Sequence, residues 1–526
     1  MALYLGLDSS TQSLTAILLD VEDDKRRVVF ESSLNFDQEL PQYGTRHGVL
    51  KDDDPAVAVS SPLMWAEALD AMLGRVASSG VELSRLAAIA GSAQQHGSVY
   101  LNARAATLLS SLDSNRAVDD QIREGLSREV SPIWRDSSTS TECREIEAAV
   151  GGRAALAQRT GSRAFERFTG PQIRKFFKRD PDGYAATDRI HLVSSFLASL
   201  LAGQHAPIDP GDGSGMNLMD LSTRQWWPAA MDATAPNLGA KLPAIAPSAA
   251  VVGRLSPYWQ TRHGLPAVKI VAWSGDNPCS LIGTGLVDEG RVAISLGTSD
   301  TIFGLMREPR VDPTGTGHVF GAPTGDYMGI TVFKNGSLAR ERIRDAFGLT
   351  WPEFSSALAA TPPGNHGRIL LPWFEPEITP DVPRPGVHRF GLSADDGPGN
   401  VRAVVEAQQM ALALHSRWMG VKITTIHATG GASANRDILQ VMADVFGADV
   451  YQFEVGDSAC LGAALRAFQA DVASEGQRIS WDDVVRGVAE PVAATRVQPD
   501  PARHLMYGGL LRMYAECEQR VRSDLR

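Results

Sequence analysis

The sequence predicts an α/β protein whose chain is divided into two related halves. Its 526 residues exceed the length at which a single hydrophobic core stops growing, about 250–300 residues. Short β-branched segments alternate with helical ones along most of the chain, which is typical of helix-covered sheets. Residues 4–20 and 291–305 share one pattern, in which a strand, a polar turn and a second strand follow each other. Together these observations predict two domains built on one plan.

The first half contains several recognisable elements. Apolar residues at helical spacing predict a helix over 62–76, and residues 86–93 form a short buried strand candidate. Strand character resumes at 99–101, and residues 110–250 are expected to be mostly helix and loop. The β-branched segment 268–272 predicts another strand, with a helix of small residues after it.

The second half repeats this alternation after its own hairpin. Residues 362–400 are rich in Pro and Gly and are expected to form a loop. A helix is predicted over 401–419, a strand over 422–428, and further helices over 436–446 and 459–468. We therefore expect a mostly parallel sheet, covered by helices, in each half.

Composition excludes several classes of function. The net charge of −11 argues against nucleic acid or an anionic membrane as the main partner. The N-terminus lacks the basic flank of a secretory signal, and the apolar run 192–201 is too short to span a bilayer. The four cysteines form neither a CxxC pair nor a zinc spacing, so a cytoplasmic protein is predicted.

The two hairpins suggest a chemistry. Each turn places a threonine three residues after a polar residue, with Thr11 following Asp8 and Thr298 following Ser295. Turns rich in Ser, Thr and Gly offer hydroxyls and bare backbone N–H groups that can surround phosphate oxygens. Two facing hairpins could hold one polyphosphate, which indicates an enzyme that uses ATP.

Polar residues at the ends of predicted strands are the candidates for this chemistry. Asp8 could hold magnesium beside a phosphate, or could close a turn by bonding its own backbone. Gly430 and Gly431 could allow a nucleotide to approach the backbone, or could form a plain turn with Asn435 near a helix N-cap.

Four further residues have two interpretations each. Asp276 follows a buried strand and could be a general base on a hydroxyl, or a turn or cap residue. His96 and Arg167 could bind a polyol, although a lone His in a turn is more often structural and Arg167 could simply pair with an acid. Trp351 could cover an adenine ring or pack in a core.

Six motifs in order give the chain a family resemblance. They are GSAQQHG at 91–97, SPIWRDSST at 131–139, ERFTG at 166–170, SGDN at 274–277, SLGTS at 295–299 and ATGGAS at 428–433. With these motifs the chain resembles the FGGY carbohydrate kinases over nearly its whole length, and within them the xylulokinase branch.

The resemblance implies two actin-like, ribonuclease H-like domains with a catalytic cleft between them. Residues 1–274 would bind the sugar and carry the first phosphate hairpin, and residues 275–526 would bind ATP and carry the second. Either a monomer or a homodimer is compatible with it.

The resemblance also implies roles for single residues. Asp276 would be the base that deprotonates D-xylulose, with ATP as phosphate donor and Mg²⁺ near Asp8. His96, Arg167 and Asn277, together with Asp276, would contact the sugar. The nucleotide contacts would be Thr11, Thr298, Trp351, Gly430, Gly431 and Asn435.

Three alternatives stay open at this stage. The substrate could be ribulose, fuculose or a related polyol, because a few hydrogen bonds separate such sugars. An actin- or chaperone-like ATP switch would use the same hairpins but needs no sugar pocket. A sugar-responsive transcription regulator lacks support, since no helix-turn-helix, zinc cluster or basic stripe is evident.

Overall fold

The strands and helices alternate along the chain in the computed structural model, which describes residues 2–453 and 456–525. The strands are β1 (Ala2–Ser9), β2 (Ser13–Glu22), β3 (Lys25–Asn35), β4 (Val59–Ser60), β5 (Leu86–Ala93), β6 (Ser98–Asn102), β7 (Ser131–Pro132), β8 (Thr187–Leu192), β9 (Met219–Asp220), β10 (Gln225–Trp226), β11 (Val251–Arg254), β12 (Lys269–Val271), β13 (Ser274–Gly275), β14 (Arg291–Leu296), β15 (Asp300–Met306), β16 (His318–Gly321), β17 (Tyr327–Phe333), β18 (Ile369–Trp373), β19 (Gly386–Phe390), β20 (Thr425–Thr429) and β21 (Asp449–Gln452). The α-helices are α1 (Phe36–Glu39), α2 (Pro62–Ala77), α3 (Ala105–Ser110), α4 (Val118–Ile122), α5 (Ser140–Ala149), α6 (Arg153–Thr160), α7 (Thr169–Arg179), α8 (Pro181–Ala186), α9 (Val193–Ala202), α10 (Pro210–Gly213), α11 (Pro228–Thr234), α12 (Leu238–Lys241), α13 (Pro257–His263), α14 (Asp276–Gly283), α15 (Ser337–Ala346), α16 (Trp351–Ala360), α17 (Gly397–His415), α18 (Arg436–Phe446), α19 (Ser458–Ser474), α20 (Trp481–Val485) and α21 (Pro501–Leu525).

The chain folds into two compact units, each assembled from separate segments. The first unit comprises Met1–Val287, Val319–Met328 and Val455–Glu490, and the second comprises Asp288–His318, Gly329–Glu454 and Pro491–Arg526. The division of roles predicted at residue 274 stays a prediction.

The central sheet of the first unit is mixed. Strands β3, β2 and β1 pair antiparallel in that order, whereas β1, β5 and β12 pair parallel. An antiparallel β11 follows β12 at the edge. The expectation of a mostly parallel sheet was therefore wrong here. Short turns join β1 to β2 and β2 to β3, and strands joined in this way must run antiparallel.

The second unit repeats this arrangement. Strands β15 and β14 pair antiparallel, and β14, β20 and β21 pair parallel in that order. In each unit, therefore, the first strand of the hairpin also pairs in parallel with a strand that comes later in the chain. The prediction of two related halves with matching hairpins is confirmed, and the second sheet is mixed for the same reason as the first.

Most of the predicted elements are present. The predicted helices at 62–76 and 436–446 correspond to α2 and α18, and the predicted strand at 86–93 is β5. The loop expected over 362–400 was partly wrong, because β18 and β19 pair there as an antiparallel hairpin. All five residues of β18 are buried, so apolar burial outweighs the Pro and Gly around them.

Glycines allow close backbone contacts between α19 and β1 and between α19 and α14. A Cβ on Gly6 of β1 would come within 2.3 Å of the carbonyl oxygen of Cys460 on α19. A Cβ on Gly283 of α14 would come within 1.9 Å of the Ser458 oxygen, and one on Gly462 would come equally close to the Cys279 oxygen. Glycine is needed at these positions because α14 and α19 cross with their backbones almost touching.

In the described part of the chain, no helix combines the length and the apolar character needed to cross a membrane. Cys143, Cys279 and Cys460 are buried thiols, and Cys517 is half-buried.

Candidate active site

Two carboxylates lie at one edge of the sheet in the first unit. Asp8 is at the end of β1, opposite Ser92 of the parallel strand β5, and the Ser92 hydroxyl donates to an Asp8 oxygen. Asp276 follows β13, which also pairs parallel with β5 at Ser92. Because parallel strands end at the same edge of a sheet, their carboxyl ends bring these side chains together.

Burial gives both carboxylates unusual acidities. It raises the pKa of Asp8 to about 6, against the hydrogen bond from Ser92, and the charge of Asp457 adds to the rise. Burial raises the pKa of Asp276 to about 7, and the nearby Asp8 is the second cause. A carboxylate whose pKa lies near neutrality can both accept and release a proton at physiological pH.

Asn277 connects Asp276 to a glutamine in the first half of the chain. The backbone N–H of Asn277 donates to Asp276 Oδ1 at 2.8 Å, and its side-chain amide donates to Gln95 Oε1 at 2.9 Å. Gln95 in turn donates to the Gly211 carbonyl at 3.3 Å. A Cβ on Gly275 would lie 2.4 Å from Gln95, so glycine makes room for this contact.

His96 is buried and held in one tautomer. Its Nδ1 lies 2.9 Å from the Gly215 carbonyl oxygen, which can only accept, so Nδ1 carries the proton. Burial lowers the pKa of His96 to about 3, and the charge of Arg167 acts in the same direction. The neutral ring therefore keeps Nε2 as an acceptor. His96 also has φ of +73°, an unusual conformation for a non-glycine residue that occurs often at functional sites.

Arg167 contacts the aromatic residues around His96. Its guanidinium carbon lies 4.9 Å from the ring centroid of Phe165 and 5.5 Å from that of Phe168. The His96 ring lies 4.3 Å from Phe168. Burial lowers the pKa of Arg167 to about 10, so it remains charged at neutral pH. The sequence-predicted residues Asp8, His96, Arg167, Asp276 and Asn277 thus all belong to the first unit.

The turn of the first hairpin has a partner that the sequence did not indicate. Trp134 is 45% exposed, yet its indole N–H donates to the Thr11 hydroxyl at 2.7 Å. The Thr11 hydroxyl in turn donates to Gln94 Oε1 at 3.5 Å, so Trp134 and Gln94 together orient it.

The segment 209–215, which accepts hydrogen bonds from Gln95 and His96, was not predicted from the sequence. The carbonyls of Gly211 and Gly215 receive the bonds from Gln95 and His96. The segment begins with Asp209, whose carboxylate accepts from the Asp212 N–H and from the Ser248 hydroxyl. The glycine-rich run at 211–215 was the available signal, but no chemistry distinguishes it from an ordinary loop.

The second unit contains a cavity of about 810 Å³ beside its hairpin. The predicted residues Thr298, Trp351, Gly431 and Asn435 line it, and so do Leu296, Gly297, Ser337, Arg340, Glu341, Pro352, Phe354, Ser355, Ala432, Ala434, Arg436, Asp437 and Ile438. Its volume lies in the range of small-molecule and cofactor sites. The other predicted phosphate contact, Thr11, belongs to the first unit and does not line this cavity.

Asn435 is both a helix cap and a cavity residue. Its side-chain oxygen accepts from the N–H groups of Asp437 and Ile438, and its amide donates to Ser355 at 2.6 Å. The structural interpretation of Asn435 therefore holds, and its amide also joins the two helices that border the cavity.

Trp351 presents its ring at the cavity and is 43% exposed. The guanidinium carbon of Arg344 lies 4.5 Å from the centre of that ring, and Phe354 meets the ring edge-on. A large exposed aromatic surface in a cavity can stack with a planar ligand.

The two glycines of the predicted turn differ. Gly430 has φ of +83°, and a Cβ there would lie 2.7 Å from the Leu296 carbonyl oxygen. It does not line the cavity but lets the turn pass close to β14. Gly431 lines the cavity, and a Cβ on it would meet no atom within 4 Å.

The described residues contain no group of three or more His, Cys, Asp or Glu side chains that could hold a metal ion. Asp8 offers a carboxylate whose charge faces Asp457 and Asp276. Mg²⁺ in phosphoryl-transfer sites is usually bound by one or two carboxylates, water and substrate phosphates. Asp8 and its neighbours fit that mode of binding.

The comparisons with known proteins cover both units. The model of the FGGY family of carbohydrate kinases, N-terminal domain, matches residues 3–283, and that of the C-terminal domain matches residues 292–470. Xylulose kinase of Rattus norvegicus is 45% identical over 535 residues, covering 99% of this chain and 97% of the relative. Xylulose kinase 2 of Arabidopsis thaliana is 44% identical over 489 residues, covering 89% and 87%.

Solved structures agree on the fold. Xylulose kinase from Rhodospirillum rubrum matches with a TM-score of 0.82 at 20% identity over 99% of both chains. Glycerol kinase from Plasmodium falciparum, solved with ADP, matches with a TM-score of 0.76 at 16% identity over 98% of both. Sequence and fold together define an ATP-dependent carbohydrate kinase with the two-domain, actin-like α/β fold. The chain belongs to the FGGY family of carbohydrate kinases.

Proposed function

We propose that the protein transfers the γ-phosphate of ATP to D-xylulose and forms D-xylulose 5-phosphate. The observation that carries this proposal is a series of hydrogen bonds that links Asp276, Asn277 and Gln95. In it, a carboxylate with a pKa of about 7 lies beside polar side chains that could bind a sugar. The names of the relatives support the substrate, since the rat and Arabidopsis proteins are xylulose kinases and the Aspergillus niger relative, 35% identical, is a D-xylulose kinase.

Asp276 would act as the general base. Its ionised carboxylate takes the proton from the terminal hydroxyl of the sugar as the hydroxyl oxygen bonds to the γ-phosphorus. The bond from that phosphorus to the bridging oxygen breaks, ADP leaves with the electron pair, and Asp276 later loses its proton to solvent. Positioning and charge stabilisation supply most of the rate in such transfers, so the base assists by removing a charge that would oppose attack.

The sugar would be held by groups with complementary hydrogen-bonding roles. His96 is neutral with its proton on Nδ1, so Nε2 accepts from a sugar hydroxyl. Arg167 is a donor to sugar oxygens. The Asn277 side-chain nitrogen donates to Gln95 and Asp276, so Asn277 would contact the sugar through its Oδ1, which accepts from a hydroxyl. Because the polar groups of such a site are left unpaired by a sugar that lacks the matching hydroxyl, this arrangement supports discrimination between sugars.

The nucleotide would occupy the cavity of the second unit. The base stacks on Trp351, the turn at Gly431 and the Asn435 helix cap border the ribose, and Thr298 and Thr11 donate to phosphate oxygens. The Trp134 indole N–H orients the Thr11 hydroxyl, and a phosphate oxygen would replace Gln94 Oε1, 3.5 Å away, as the acceptor of its proton.

Asp8 would hold Mg²⁺, in part through water. The ion would neutralise the phosphate charges and favour the ionised forms of nearby carboxylates. A bound cation would offset the effect of burial, which opposes the ionisation of Asp8.

A coupled ADP-release assay tests the proposal. We expect turnover with ATP, Mg²⁺ and D-xylulose that greatly exceeds turnover with D-ribulose, L-ribulose, L-fuculose or glycerol. A preference for another of these substrates would keep the mechanism and overturn the D-xylulose assignment. If protein shown to bind ATP gave no sugar-stimulated ADP, an ATP switch would replace the kinase.

A further inference from the structure

Arg340 is an almost fully buried arginine that lines the nucleotide cavity. It lies on α15, and its guanidinium makes two bonds to the carboxylate of Asp300, at 3.1 and 3.3 Å. Asp300 is the first residue of β15, directly after the turn of the second hairpin. We call residues 297–300 the phosphate turn. Neither Arg340 nor Asp300 was among the residues predicted from the sequence.

The phosphate turn is held from the same helix by backbone contacts. The Ser337 N–H donates to the Gly297 carbonyl at 2.8 Å. A Cβ on Gly336 would lie 2.7 Å from both the Thr298 carbonyl and an Asp300 carboxylate oxygen. The start of α15 therefore lies against the turn, and Arg340 fixes the same helix to Asp300 one turn further along.

Gln408 on α17 completes the arrangement. Its side-chain oxygen accepts from Arg340 at 2.8 Å, and its amide donates to the carbonyls of Asn335 and Gly336, each at 2.7 Å. One buried network thus joins the turn, the start of α15 and α17. Buried charged networks of this kind fix geometry when every member is bonded.

We propose that Arg340 is a positioning residue that acts through its ion pair with Asp300 to hold the phosphate turn in the geometry that binds the triphosphate of ATP. The proposal rests on the proposed function, because it assigns the second unit's cavity to the nucleotide. Arg340 acts on the turn, and the turn contacts the phosphates. A rigid turn presents its N–H groups and the Thr298 hydroxyl without paying an ordering cost on binding.

The test is a double-mutant cycle with Arg340→Met, Asp300→Asn and the double variant, measured as KM for ATP, KM for sugar and direct ATP affinity by calorimetry. Each single variant is expected to raise KM for ATP by about tenfold or more, the usual scale for a broken buried charge pair. The double variant should be no worse than either single one, because both remove one interaction. KM for sugar should stay within about twofold.

Arg402→Met is the matched control. Arg402 forms a buried pair with Glu406 in the same unit, and it does not line the nucleotide cavity. We expect this variant to lower Tm while KM for ATP is retained. Arg340→Lys, which keeps the charge but loses the fork of donors, should give an intermediate KM and covers the case in which Arg340→Met does not fold.

Two results would overturn the proposal. If Arg340→Met lost most of its ATP affinity while Asp300→Asn kept nearly all of it, Arg340 would contact phosphate directly and would not act through Asp300. Loss of Tm without a change in ATP affinity, as in Arg402→Met, would leave only a structural role. If the wild-type protein bound ATP but phosphorylated no sugar, the proposed function would fail while the calorimetric comparison still decided the role of Arg340.

Discussion

The two hairpins have the same topology but differ in the charges that surround the carboxylate at each turn. In the first, Asp8 stands before the turn, and the causes that raise its pKa are burial and the charge of Asp457. In the second, Asp300 stands after the turn, and although burial also raises its pKa, Arg340 opposes that rise through a bidentate pair. One turn is therefore beside unneutralised acid, and the other is beside a balanced ion pair.

In the proposed mechanism this difference suits one hairpin to a cation and the other to an anion. An acidic set that is costly to ionise attracts a cation and offers a proton acceptor. A turn whose carboxylate is already neutralised can present its N–H groups and hydroxyl to an anion without repulsion. We therefore expect variants of the first turn to change chemistry and pH dependence, and variants around the second cavity to change nucleotide affinity.

The largest effect is expected for Asp276→Asn. Loss of the base should lower kcat by about 100- to 10,000-fold, the usual range for general-base catalysis, while ATP affinity measured by calorimetry is retained. Asp70→Asn is the control, because Asp70 is a carboxylate of the same unit that pairs with Arg262 and His263. Parallel loss of ATP affinity and activity in Asp276→Asn would contradict the assigned role.

Asp8→Asn should lower kcat less, by about 10- to 100-fold, the scale for residues that support a metal indirectly. It should also change the titration of Asp276. Asp8 is the second cause of the raised pKa of Asp276, so in Mg²⁺-free protein the loss of its charge should move the titration of the Asp276 carboxyl from about pH 7 to lower pH. An unmoved titration of Asp276, followed by NMR in the variant, would show that the two carboxylates do not interact.

His96→Ala should weaken sugar binding. Loss of one acceptor from a buried site is expected to raise KM for D-xylulose by about fivefold to 100-fold, the equivalent of about 1–3 kcal/mol, with KM for ATP unchanged. His191→Ala is the control, since His191 is equally buried in the first unit but bonds to Ser195 and His205. An unchanged sugar KM would exclude His96 from the site.

Trp351→Ala should affect the other unit by a smaller amount. Stacking of a base on an aromatic ring contributes about 1–3 kcal/mol, but Trp351 is 43% exposed, so we expect KM for ATP to rise about three- to tenfold. Trp351→Phe should restore most of the affinity, and the sugar KM should not change. Equal KM values for ATP in the alanine variant and the wild type would remove Trp351 from the nucleotide site.

The sequence predicts most of the elements and many residues of the candidate site, because both depend on local pattern. Strand-end residues such as Asp8 and Asp276 were found in this way, since a polar residue after a buried strand is visible in one dimension. Arg340 could not be found, because it lies on an ordinary amphipathic helix and its partner Asp300 is 40 residues away. Trp134 was missed for the same reason, since its partner Thr11 is 123 residues distant. Contacts between distant segments depend on how the chain packs, which periodicity does not encode.

The smallest effect concerns stability and has the opposite sign to the effect on activity. The raised pKa of Asp276 means that the folded state holds its proton more tightly than the unfolded state. Its ionised form therefore opposes folding, fully above about pH 7, and this penalty fades as pH falls and the folded state becomes protonated. Asp276→Asn should raise Tm at pH 8 by about 2–4 °C, discounted because Asp276 is only half-buried, and the gain should shrink toward pH 5. A Tm gain that is the same at both pH values would mean that the carboxylate charge is not the cause, whereas a gain only at high pH would show that the ionised Asp276 lowers the stability of the fold.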